Sequence, residues 1–541
     1  MRAGAGARSA DDLIRHSRES GNPPFLSRGI RWTPDQVRGD GELKLNPEDV
    51  SLDQLRQLWS GATASLDDAS MQRVAKSAAA VERIVAGGET VYGVNTGFGL
   101  LANTRIPNDR LAELQTNLIL SHSAGLGDPL PRQVTRLMIV LKLLGLGRGH
   151  SGVRPLVIEA LQRLLDQDAM PLIPAQGSVG ASGDLAPLAH LIAALMGYGR
   201  IDVAGEILDA KAALERLSLE PLQLGPKEGL ALINGTQASA ALALDALFAG
   251  ERVFAAALAA GALSVDALKG SAKPFDPRIS QLRGQPGQIR VAAAIHDLLD
   301  GSEILTSHVA CSRVQDPYSF RCQPQVMGAA LDLMQNAART LTIEAGAVTD
   351  NPIVFADDDT AISGGNFHAQ PVAFAADTIA LALCEVGSMS ERRVAVLVDP
   401  KMSGLPAFLA DDPGVNSGLM IPQVTAAALV SENKGLAFPA SVDSIPTSAG
   451  QEDHVSMAPI AARKAAQIAK NAAGVVAIEL IAAAQGVDYH APLKTSEKLR
   501  ALHARVRVIS PHLDRDRYWA DEMAALQSAV LKGDVAPPFS I

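Results

Sequence analysis

Gln176-Gly177-Ser178-Val179-Gly180-Ala181-Ser182-Gly183-Asp184-Leu185-Ala186-Pro187-Leu188-Ala189-His190 changes character half-way along. Small residues run up to Asp184, and from Leu185 the apolar positions follow a helical spacing. Asp184 stands where a helix N-cap stands, and the start of such a helix carries partial positive charge that favours electron-rich groups. Taken alone, the stretch is a glycine-rich turn leading into a helix. A hydrolase nucleophile at Ser182 would need Gly-x-Ser-x-Gly, and Asp184 occupies the place of the second glycine.

Helical periods surround this turn. After Pro131, a helix-starting proline, Val134, Leu137, Met138 and Leu141 recur at i, i+3, i+4 and i+7. Similar patterns lie near 152–166, 236–265, 325–346, 370–397, 455–485 and 519–531. Several carry almost no charge, as expected of helices covered on all sides. The chain has 541 residues, 47% hydrophobic but only 4% aromatic, so Ala, Leu and Val supply the apolar surface and favour helices over sheets. Strands do not alternate regularly with helices, and no repeat is visible. Gly and Pro gather in loops at 93–99, 174–184, 349–365 and 398–422, and loops of that kind inside a helical body are where function sits.

Other features exclude function classes. With 48 basic and 58 acidic residues the net charge is -10, so nucleic acid is not the expected partner. Cys311, Cys322 and Cys384 form neither a disulfide framework nor a zinc motif, which points to a reducing cytoplasm. The best apolar run, Val253 to Val265, is 13 residues and reads as a buried helix, against the ~20 needed to span a bilayer. Gly97-Phe98-Gly99-Leu100-Leu101-Ala102 fits a dinucleotide-binding pattern, but lacks the strand–turn–helix frame that pattern requires. No His-Glu-x-x-His occurs, so no metal is expected, and His150, His190 and His368 read as structural. Residues 1–42 contain seven Arg and no Lys without a sustained apolar period, which predicts a poorly ordered extension; Asp11, Asp12 and Glu19 argue against a transit peptide.

The turn has a closer reading. Ala181-Ser182-Gly183 followed by Asp184-Leu185 resembles the signature of the aromatic amino acid ammonia-lyases. The resemblance runs from about residue 43 to near 530. It includes Val91-Tyr92-Gly93-Val94-Asn95-Thr96-Gly97-Phe98-Gly99, Asn234-Gly235-Thr236, and Gln315-Asp316-Pro317-Tyr318-Ser319-Phe320-Arg321-Cys322. Gly364-Gly365-Asn366-Phe367-His368 and Gln451-Glu452-Asp453-His454-Val455-Ser456-Met457 complete six motifs in the family's order. One departure is Gly450, where the family usually has Asn. The fumarase-type Gly-Ser-Ser-x-Met-Pro loop is absent.

The resemblance implies a mainly α chain with the large helical-bundle lyase fold of the fumarase/aspartase-like type. Its loop-rich N-terminal region would span 43–240, and its long-helix bundle with C-terminal helices 241–541. It implies a carbon–nitrogen lyase that makes its own 4-methylidene-imidazol-5-one (MIO) from Ala181, Ser182 and Gly183, with no metal or dissociable cofactor. It also implies a homotetramer whose active sites draw on three chains. Glycine at 183 lets the backbone nitrogen reach the Ala181 carbonyl, and serine supplies a hydroxyl to eliminate.

Residue roles follow from the same resemblance. Arg321 would clamp the substrate carboxylate, since a guanidinium pairs with it bidentately. Tyr92 and Tyr318 would share the β-proton and the amine proton. A free phenol has a pKa of ~10, so the base needs surroundings that favour the phenolate. Asn234 and Gln315 would hold the carboxylate or the prosthetic ring, and Phe367 would pack near it. Ser121-His122 and Glu452 look like the family's histidine-type form: His122 and Glu452 can bond imidazole nitrogens, and a phenyl ring has none. The small-molecule substrate implied is L-histidine, deaminated in the opening step of its breakdown. A phenylalanine or tyrosine lyase, an aminomutase, or an inactive scaffold of the same fold are the alternatives.

Overall fold

The computed structural model describes residues 42–87, 93, 95, 96, 106–307, 314–537 and 539. The expected extension, apart from Glu42, lies outside the described residues, as do Tyr92 and Cys311. Among the helices, those that frame the turn are, in chain order, α1 (Leu111–His122), α2 (Arg132–Gly147), α3 (Leu185–Leu195) and the short α4 (Glu228–Ile233). Then come α5 (Gln237–Ala267), α6 (Tyr318–Arg321), α7 (Gln323–Ala345), α8 (Gln370–Val398), α9 (Met420–Leu436) and α10 (Ala458–Asp488). Helices α11 (Glu497–Ile509) and α12 (Ala520–Lys532) close the chain. The fold is mainly α, as the periodicity predicts.

Strands are short and serve as fasteners. β1 (Leu126–Pro129), β2 (Ala169–Pro171), β3 (Pro174–Gln176), β4 (Arg200–Val203) and β5 (Glu206–Asp209) occupy the loop-rich part. β3 pairs antiparallel with β1, and β2, β4 and β5 form a three-stranded antiparallel sheet. The β1–β3 pairing ties the approach to the 177–184 turn to the end of α1. The loop expected over 349–365 contains a hairpin, Ile353–Phe355 against Thr360–Ile362.

The centre of the bundle is α5, α8 and α10. Their Ala-rich surfaces let backbones approach closely, and nearly every α5 residue is buried. Between them lies a polar pin. Glu479 on α10 accepts from Arg393 Nη2 at 2.8 Å, from Arg393 Nε, from Ser264 Oγ at 2.7 Å and from Ser390 Oγ. Removing one partner of such a buried pair costs about 3–5 kcal/mol. By length and composition, α8, α10 and the run Glu228–Ala267 could each cross a membrane, which the length of the best apolar run did not reveal. Their most apolar windows are 67%, 83% and 83% buried inside the protein, respectively.

Two helix starts come later than the periodicity predicts. The helix expected from 152 begins at Pro155, whose fixed φ suits a first helical turn. The helix expected from 455 begins at Ala458. Met457 is left-handed at φ 56, and Val455–Met457 are committed to the 177–184 turn instead.

Candidate active site

The turn folds back on itself. Ala181 and Gly183 form an isolated antiparallel bridge, and Gly180 and Gly183 take φ of 63° and 76°. A Cβ at Gly183 would lie 2.3 Å from Gly235 N, so only glycine fits there. The segment 234–235 is therefore a wall against the turn. Asn234 Nδ2 donates to Ser182 O at 2.5 Å, and Asp184 N donates to Gly235 O at 2.8 Å. On the other side, Ser456 Oγ donates to Gly180 O at 2.8 Å and Met457 N to Val179 O at 2.8 Å. Ala181 packs with Val455 and Met457.

Asp184 corrects an expectation. It sits at the N-cap position of α3, but its side chain makes no cap bond. The fully buried carboxylate accepts instead from Ser239 N at 2.6 Å, Ser239 Oγ at 2.7 Å and Ser178 Oγ at 3.0 Å. It thus joins the turn to the start of α5, 55 residues away. Burial pushes its pKa up, against the pull of those donors.

Two buried lysines support the wall from below, and the sequence reading missed both. Lys227 Nζ bonds Asp350 Oδ2 at 2.9 Å and Ser151 O at 2.8 Å at the start of α4. Lys142 Nζ, on α2, bonds Ala231 O at 3.1 Å and Asn234 O at 3.0 Å at its end. Burial pushes Lys142 down to about 7, although Asp350 and Asp184 pull it up. The signal available was one lysine in Leu137-Met138-Ile139-Val140-Leu141-Lys142-Leu143-Leu144: a lone charge in a buried helix needs a partner.

Glu452 reaches the turn from the loop before α10. Burial raises its pKa, but donors from Ser182, Thr447 and Ser448 outweigh this and hold it below the ordinary carboxylate range. Thr447 Oγ1 donates to Glu452 Oε2 at 2.5 Å, and Thr447 and Glu452 form an isolated antiparallel bridge. Gly450 between them has φ 86. Glycine and asparagine both tolerate that region, which accounts for the departure from the family's Asn.

His122 ends α1, a helix that packs on α3 and α4. Its Nδ1 lies 2.8 Å from Leu118 O, and a carbonyl only accepts, so Nδ1 carries the proton. In the neutral ring, Nε2 then presents a lone pair. Phe367 is half-buried, and the neighbouring His368 ring stacks on His454 at 5.7 Å, linking its loop to that of Glu452. His190 Nε2 accepts from Gly125 N at 3.0 Å, and His150 Nδ1 bonds Val354 O at 2.9 Å, so both have structural partners.

Gln315, Tyr318 and Arg321 form a second group. Arg321 Cζ lies 4.5 Å from the Tyr318 ring centroid, and Arg321 Nε donates to Asp316 O at 3.1 Å. Tyr318 is 72% exposed. Among the described residues, none of the three bonds to the 177–184 turn. The chain thus brings together Ala181, Ser182, Gly183, Asn234 and Glu452, and carries the second group on a different surface element.

The aromatic amino acid lyase family matches residues 50–508. The chain belongs to the aromatic amino acid lyases. This lyase is 40% identical to histidine ammonia-lyase from Trypanosoma cruzi, with a TM-score of 0.85 over 92% of this chain and 94% of that one. It is 31% identical to the phenylalanine aminomutase of Pantoea agglomerans (TM-score 0.86, 91% and 99% covered). It is 27% identical to the ergothioneine-degrading ergothionase of Treponema denticola (TM-score 0.86, 92% and 99% covered). The lyase is a carbon–nitrogen lyase. Its turn fits the MIO ring that the resemblance implies: residue 181 already bridges residue 183, no side chain could stand at 183, and Asn234 holds Ser182 O. Asn234 Oδ1 is buried without a partner among the described residues, leaving a polar atom for a group at this site.

Proposed function

We propose that this lyase converts L-histidine to trans-urocanate and ammonia at a ring formed from Ala181, Ser182 and Gly183. The observation that carries the substrate is Glu452: an ionised carboxylate set against Ser182. A carboxylate there has lone pairs left for an imidazole N–H beyond the donors it already holds, and a phenyl ring offers it no donor while adding to its desolvation. His122 Nε2 faces the other ring nitrogen, and the two bond when one of the imidazoles carries a second proton. When formed, the MIO ring supplies an electrophilic carbon that turns the substrate amine into a better leaving group. Asn234 holds the Ser182 carbonyl in place. Arg321 clamps the substrate carboxylate, Gln315 supports it, and Phe367 walls the pocket. Tyr92 and Tyr318 move the β-proton and the amine proton.

Arg321 and Tyr318 come to this turn from another copy of the chain in a homotetramer. Exposed apolar residues on the long helices, among them Leu333, Ile343, Phe374, Leu381 and Val424, fit such contacts. Cys322 and Cys384 are free thiols, in keeping with a reducing cytoplasm.

The test supplies L-His, L-Phe and L-Tyr separately and follows ultraviolet absorbance. Urocanate from L-His alone is expected; faster cinnamate formation from L-Phe would overturn the substrate. An aminomutase reading has support in the 31% match to the Pantoea agglomerans enzyme. Chromatography for a β-amino acid product separates the two.

A further inference from the structure

We infer that Lys142 is a positioning residue for formation of the ring: it anchors the wall against which the 181–183 turn is bent. This rests on the reading of that turn as ring-forming. Cyclisation joins the Gly183 nitrogen to the Ala181 carbonyl carbon, and the carbonyl oxygen leaves as water with the Gly183 and Ser182 amide protons. A second water takes the Ser182 hydroxyl and its Cα proton. Both steps need the turn held tighter than a free peptide holds itself, so its surroundings must not yield.

The wall is Asn234 and Gly235. Gly235 meets the turn directly, with its nitrogen where a Cβ of Gly183 would stand, and Asn234 Nδ2 grips Ser182 O. Nothing covalent stiffens this segment. It leaves the end of α4, a helix of only six residues, whose last carbonyls lack helical partners. Lys142 supplies them. Its ammonium, only 1% exposed, bonds Ala231 O and Asn234 O at once and so fixes the peptide that carries the gripping side chain. The lysine stands on α2, a helix packed against α5, so the wall is referred to the rigid body.

A buried lysine is a costly way to cap a helix that merely needs to exist. Asp184 and Asp350 lie close enough to favour its charged form, and Asp184 also ties the turn to Ser239. The charge, the wall and the turn are therefore one connected unit.

Intact mass of full-length protein tests this without reference to activity. Wild type is expected to lack two waters relative to the encoded chain. Lys142→Met, nearly the same shape without donors, is expected to fold, with ring formation slowed at least tenfold and the full encoded mass in freshly made protein. Lys142→Gln, which keeps an amide donor, is expected to recover part of the loss. The mass is read well below each variant's own melting temperature. Water loss at the wild-type rate in Lys142→Met overturns the inference. Should that variant fail to fold, Lys142→Gln decides: a reduced ring fraction supports the role, and a wild-type fraction overturns it. No water loss in wild type overturns instead the reading of the turn.

Discussion

The 177–184 turn and the Gln315–Arg321 segment both hold residues that we assign to the proposed reaction, and they are built in opposite ways. Around the turn the polar groups that fix its shape are answered from within the chain: Asp184 by Ser239 and Ser178, Ser182 O by Asn234, Gly180 O by Ser456. Around α6, Arg321 leans on an exposed tyrosine and one backbone carbonyl. The difference separates two tasks. Making a reactive group from the backbone, as we propose for the turn, demands rigidity that one chain supplies alone. In the proposed reaction, holding a substrate carboxylate and moving its proton can wait until chains meet.

Substitutions should therefore divide by region. Ser182→Ala removes the covalent route; kcat is expected to fall by more than about 10³-fold, and intact mass to show no loss of water. Arg321→Lys replaces a planar fork with a point charge; kcat/KM is expected to fall about 10–100-fold, mainly through KM, while mass still shows the loss of two waters. An Arg321→Lys protein without that loss would break the division. Glu452→Gln is expected to lower kcat/KM on L-histidine about tenfold, with the ring intact. Because donors hold the folded Glu452 below the ordinary carboxylate range, its charge persists into acid and is lost only as pH falls through that lowered value. The acid limb of kcat/KM should flatten in Glu452→Gln, as a pH–rate profile can check. Gly450→Asn should be nearly silent, within about 0.5 kcal/mol by thermal melting, because φ 86 suits either residue.

Much of this was legible in the sequence, for identifiable reasons. Apolar spacing located the long helices because burial repeats every turn of a helix. The Ala181-Ser182-Gly183-Asp184 signature is local, so reading along the chain finds it. The bonds that hold it are not local. Lys142 and Asn234 are 92 residues apart, and Asp184 and Ser239 are 55 apart, with no periodicity to announce either. The N-cap expected of Asp184 was a sound local reading that tertiary bonding overrode. The helix start expected near 455 failed because Val455–Met457 pack against a turn some 275 residues earlier.

Two long apolar helices, α5 and α10, pack on one another yet are separated by about 190 residues of chain. During synthesis at ~5–20 residues per second, α5 leaves the ribosome roughly 10–40 s before its principal partner exists. For that interval a helix long and apolar enough to enter a bilayer has no finished core to enter. The nascent protein should accordingly lean on chaperones that shield hydrophobic segments, and its yield should depend on them far more than the stability of the finished fold suggests.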